Sequence, residues 1–127
     1  MSALTQRTPE HTSKTAVVSK ALLRSSELLG LTAKELSTVV GLSEPSISRL
    51  KRSEDGTPLT GKSYELALLF IRLYRSLDAI VGGDDSVARQ WIRTDNSMLG
   101  GKPLNRIKTI DGLAHVLAYL DARRAPI

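Results

Sequence analysis

The chain has no cysteine, only five aromatic residues in 127, and no long apolar run. Without cysteine there can be no disulfide and no thiolate metal site, which suits a reducing compartment. Aromatics at 4%, beside plentiful aliphatics, argue for packed amphipathic helices rather than a sandwich or barrel. The longest apolar stretch, Leu66–Ile71, is closed by Arg72 and falls well short of the ~20 residues that span a bilayer. Met1–Lys14 is polar and lacks the apolar core of a secretory signal, so residues 1–14 read as a flexible cytosolic arm. No membrane partner is implied.

What is present begins with charge. Eighteen Lys and Arg against 13 Asp and Glu give a formal net charge of +5, compatible with a polyanionic partner. The excess is not concentrated. Met1–Lys62 holds nine basic against six acidic residues, and the remainder nine against seven. Only local placement can separate a binding face from a solvated surface.

Helical periodicity organises the chain. Val17, Val18, Ala21, Leu22, Leu23, Leu28 and Leu29 recur at helical spacing, and Gly30 suits a helix end, which predicts a first helix over Lys14–Leu29. Thr32-x-x-Glu35 has the pattern of a capping box and opens a helix over Ala33–Val40 that stops at Gly41. Ser43 caps a third helix to about Arg52, with Pro45 tolerated in its first turn. Ser53–Pro58 is turn chemistry throughout and marks a boundary, dividing the chain into residues 15–58 and 59–127. Beyond it lies a long helix over Ser63–Val81, whose apolar stripe is too wide for one-sided burial. Asp84 or Asp85 caps a shorter helix to about Arg93. Asp95–Lys102 is a loop, Pro103 opens another helix, Asp111-Gly112 breaks it, and Leu113–Arg123 forms the last. The expected class is all-α.

The second and third helices have the pattern of a helix-turn-helix. Such a motif needs a turn residue that tolerates positive φ and apolar residues at fixed offsets around it. Gly41 fills the turn; Leu36, Val40, Leu42, Ile47 and Leu50 supply the offsets, and Ser37 is small where two helices must approach closely. On the third helix Glu44, Ser46, Ser48, Arg49, Lys51 and Arg52 fall at exposed positions. Arg49 suits a bidentate contact to guanine, and Ser46 or Ser48 a base edge or phosphate. Lys51, Arg52 and Lys34 suit phosphate positioning, as does Ser43 with the amides at the helix start. Glu44 is compatible with that face only where it accepts from cytosine N4. The expected ligand is double-stranded operator DNA, bound by a homodimer formed through the first helix or the long one.

The second half carries a run of more specific segments. These are Gly82-Gly83-Asp84-Asp85, Ala88-Arg89-Gln90-Trp91, Asn96-Ser97-Met98-Leu99-Gly100-Gly101-Lys102-Pro103-Leu104, Thr109-x-x-Gly112 and Val116-x-x-x-Leu120. Together with the preceding long helix they closely resemble the C-terminal toxin-binding domain of Xre/MbcA/ParS-type antitoxins. Two departures stand out: Val81 where a large aromatic is usual, and Thr60-Gly61-Lys62-Ser63 in place of acidic capping residues. The resemblance implies an antitoxin that neutralises a RES-domain toxin, one that consumes NAD or transfers ADP-ribose from it, and represses its own operon. The toxin contacts it implies are Arg93, Asn96, Leu99, Gly100, Gly101, Lys102, Pro103 and Leu104, then Arg123, Arg124 and Ile127 in a tail that Pro126 directs away from the last helix. Trp91 itself reads as a core anchor, since a lone Trp on an amphipathic helix usually packs inward.

No catalytic constellation is present. There is no nucleophile with a spaced base, no glycine-rich phosphate loop after a strand and no defensible carboxylate pair. His11 and His115 are too isolated for a metal site. The expectation is therefore a non-enzyme without cofactor or metal. The competing reading is a phage-like helix-turn-helix repressor whose tail only dimerises.

Overall fold

The computed structural model describes residues 9–52 and 59–124, and every regular element among them is a helix. In chain order these are α1 (Pro9–Leu29), α2 (Ala33–Val40), α3 (Glu44–Lys51), α4 (Gly61–Ile80), α5 (Asp85–Ile92), α6 (Pro103–Arg106) and α7 (Ile110–Arg124). No described helix is long and apolar enough to cross a membrane.

The boundaries of α2 and α3 follow from local chemistry. The Thr32 hydroxyl accepts from the Glu35 amide at 3.0 Å, and the Glu35 carboxylate accepts from the Thr32 amide at 2.9 Å. This reciprocal pair satisfies two amides that the helix start would otherwise leave unbonded. Gly41 ends α2 in the left-handed region, at φ 72 and ψ 32, and the amides of Gly41 and Leu42 both donate to the Ser37 carbonyl. Ser43 then caps α3 through the Ser46 amide at 3.1 Å. Farther on, Asp84 rather than Asp85 caps α5, accepting from the Ser86 and Val87 amides.

Two boundaries differ from the sequence expectation. Helix α1 begins at Pro9, not Lys14, so residues 9–13 of the expected arm are helical. Proline is tolerated in a first turn, and this polar segment has no apolar stripe for periodicity to detect. Likewise Asp111 and Gly112 do not end the helix opened by Pro103, which stops at Arg106; they lie in the first turn of the last helix. The Thr109 hydroxyl accepts from the Gly112 amide at 3.1 Å, so Thr109 caps α7. A Cβ on Gly112 would land on the Arg106 carbonyl oxygen. Gly112 is thus a close-approach glycine between α6 and α7.

Helix α4 is the element both halves share. It packs against α7 and also against α1 and α2, which accounts for its wide apolar stripe. Phe70, Leu73 and Leu77 are fully buried there, within one cluster that runs from Leu22 and Leu36 to Ile92, Leu113 and Leu120. Each such side chain contributes about 1.5–3 kcal/mol by leaving water. One polar network joins the two ends of this packing. Buried Ser76 on α4 donates to Asp121 at 2.7 Å and accepts from Arg124 at 3.1 Å, while Arg72 pairs with Asp121 at 2.9 Å. A single core therefore underlies head and tail.

Candidate functional site

On the head, α3 buries Ile47 and Leu50, and helical geometry sets Ser48, Arg49 and Arg52 on the opposite side. Glu44, Lys51 and Arg52 are exposed, as is Lys34 on α2. Ser46, Ser48 and Arg49 are half-buried rather than exposed. The Arg49 guanidinium donates to the Ser46 hydroxyl at 3.3 Å, and Ser43 also donates to that oxygen at 3.0 Å. Ser43, expected to hold phosphate, is thus engaged as the helix cap. Lys34 and Lys51 have no side-chain partner among the described residues.

The tail is tied to this head by two arginines of the α5 region. Arg89 donates to the Leu28 carbonyl at 3.0 Å, and Arg93 to the Gly30 carbonyl at 2.7 Å and to both Glu35 carboxylate oxygens at 3.2 and 3.3 Å. Helix α1 has no basic residue in its own last turn, so these guanidiniums supply the positive charge its C-terminus favours. Arg93, expected at the partner-binding edge, is therefore a strut between modules. Its partner Glu35 is also half of the α2 capping box, and nothing local in the sequence links residues 58 positions apart.

Burial raises the cost of ionising Glu35, but the hydrogen bonds from Arg93 and Thr32 and the Arg93 charge outweigh it. Its carboxyl is held below the ordinary 4.5. A depressed carboxylate stabilises the fold above its unfolded pKa, and that contribution is lost as pH falls through the folded value. Denaturant midpoints should accordingly drop between about pH 5 and pH 3. Glu35→Gln should cost about 1 kcal/mol at neutral pH and remove part of that acid dependence. An unchanged pH profile in this variant would sink the assignment.

The candidate partner edge is a tight loop with an anchored interior. Asn96 and Gly101 exchange backbone hydrogen bonds, and the Asn96 side chain accepts from the Met98 amide at 3.0 Å. Gly100 at φ 76 and Gly101 at φ 147 occupy backbone regions that disfavour any other residue, and no atom lies within 4 Å of where their side chains would start. The backbone there is open to close approach. By contrast Leu99 and Leu104, both expected at the edge, are buried at 1% and 5% exposure, and Pro103 is buried too. They pack the loop onto the core. What the loop presents outward is Lys102 and Met98, the latter 67% exposed. Sequence reasoning missed Met98, although an apolar residue beside a Gly-Gly turn is an available signal.

At the end of α7 both candidate arginines have partners inside the chain. Arg124 donates to Ser76, and the Arg123 guanidinium lies 4.3 Å from the centre of the Tyr119 ring. Tyr119 in turn stacks on Trp91, with centroids 6.3 Å apart and planes at 22°. Trp91 is half-buried, so it is a shoulder of the core rather than its centre. The spacing Tyr119-x-x-x-Arg123 is one a sequence reading can flag, since residues four apart meet on a helix. Ile127 lies outside the described residues.

With this geometry in view, two family models match the chain. Residues 9–72 match the Xre-like helix-turn-helix domain of antitoxins, and residues 76–125 match the C-terminal toxin-binding domain of Xre/MbcA/ParS antitoxins. The two meet inside α4. No curated protein matches the chain. Since the first match spans half of the chain and the second adjoins it on the same core, this protein belongs to the Xre-like helix-turn-helix antitoxins.

Proposed function

We propose that the chain is the antitoxin of a toxin–antitoxin pair whose toxin is a RES-domain protein that consumes NAD or transfers ADP-ribose from it. We further propose that it represses its own operon as a homodimer. The observation that carries this reading is the union, through α4, of a capped helix-turn-helix with a toxin-binding domain. Neutralisation by the tail and repression by the head then belong to one molecule. Dimerisation has support in Val17 on α1 and Leu68 on α4, exposed at 64% and 41%, and two half-sites give a small head usable affinity.

Within the tail, neutralisation falls either to surfaces ahead of residue 125, the edge at residues 98–102 among them, or to the segment after α7. Removing residues 125–127 alone separates them, because it spares the Arg124–Ser76 contact that holds α7 to α4. Co-expression with the product of the adjacent toxin reading frame should restore growth and stop NAD loss. Full rescue by the shortened chain would assign neutralisation to the tail ahead of residue 125, the edge included. Failure of the intact chain to rescue or to bind that product would remove the toxin reading and favour a repressor whose tail only dimerises.

A further inference from the structure

We propose that Trp91, Tyr119 and Arg123 form one preorganised anchor that docks an acidic, acceptor-rich segment of a protein partner, and this rests on the toxin-binding reading of the tail. The three side chains come from two helices, α5 and α7, and are already in register: indole on phenol, guanidinium over phenol. All three lie within the residues 76–125 that match the toxin-binding domain.

The chemistry of the stack is one-sided. Among the described residues neither the Trp91 indole N–H nor the Tyr119 hydroxyl has a hydrogen-bond partner, and neither is a buried orphan. Arg123 has no carboxylate partner there, and Asp121, two residues before it, is paired with Arg72 and Ser76. Indole and guanidinium can only donate, and the phenol can donate as well. Such a surface is completed by carboxylates and carbonyls. A second copy does not complete it: across a twofold axis each residue meets a different one of the copy, and this stack offers its copy donors with only the phenol oxygen to accept them. That commits the site to a different protein rather than to a second copy of this chain.

The residue types are those that dominate protein interfaces, large rigid aromatics beside an arginine. The cation–π contact holds the guanidinium in place before binding, so less side-chain freedom is lost on docking. Arg89 and Arg93, the arginines nearest to Trp91 along the chain, are instead bonded to the head.

The test uses the full chain and the purified, catalytically inactive product of the adjacent toxin reading frame, titrated by calorimetry. Native binding is the first arm, and its absence would sink the toxin reading itself. Given native binding, Arg123→Glu should raise Kd at least about 30-fold and Trp91→Phe about 5-fold. Operator binding should stay within about twofold of native in both variants, reporting an intact fold. Both variants binding the toxin within about twofold of native would overturn the anchor and leave the toxin reading standing. Loss of the homodimer by Arg123→Glu with toxin affinity unchanged would overturn it too. If Trp91→Phe weakens operator binding as well, the exposed Arg123→Glu variant decides alone.

Discussion

Gly112→Ala is expected to lower the melting temperature by about 10 °C or more and to abolish partner binding by the tail. The added methyl would sit on the Arg106 carbonyl, 2.6 Å from its carbon and 3.0 Å from the Thr109 hydroxyl. Backbone cannot rotate away as a side chain can, so α6 and α7 would have to separate. Leu104 and Ile107, two residues before and one after Arg106, and Leu113, next to Gly112, are buried in the core. Overpacking of this kind costs about 1–3 kcal/mol and sometimes more, and a backbone clash belongs at the upper end. The sign of the change is the useful reading. In an unhindered helix, glycine to alanine stabilises by up to about 1 kcal/mol. A variant as stable as the native chain, by thermal or denaturant unfolding, would mean that α6 and α7 do not meet this closely.

Gly112 also marks where the sequence stops being readable. A glycine that ends a helix and a glycine that admits a neighbouring backbone look the same in one chain. Gly41 is legible because Thr32, Glu35 and Ser43 punctuate the same stretch, and each acts within three residues. Asp84 is legible for the same reason. Arg93 is not, since its partners Gly30 and Glu35 lie 63 and 58 positions away. The segment 96–104 shows both cases at once. Its turn glycines follow from backbone conformation, whereas the burial of Leu99 and Leu104 depends on where the loop folds back. A motif thus locates the edge but cannot sort the residues that face a partner from those that hold the loop down.

Arg49→Ala is expected to weaken specific operator binding by about 1–3 kcal/mol and to relax discrimination at one base pair. Lys51→Ala should instead weaken all sequences alike and reduce the salt slope by about one. The difference follows from where the two charges sit. Arg49 lies opposite the buried Ile47 and Leu50, on the side of α3 that would enter a major groove, whereas Lys51 is exposed at the flank. Arg49 is also held to the Ser46 hydroxyl at 3.3 Å, so reaching a guanine edge requires exchanging that contact for two charge-assisted ones. Ser46→Ala therefore offers an internal control. It removes the Ser46 contact of the guanidinium and leaves the Ser43 cap without its hydroxyl partner, while the capping bond to the residue 46 amide remains. Its effect on operator affinity should be smaller than that of Arg49→Ala, whichever sign it takes. Salt-dependent titrations on cognate and scrambled duplexes measure all three. Unchanged binding in both Arg49→Ala and Lys51→Ala would mean that α3 is not the reading helix, and DNA contact would have to come from another face of the head.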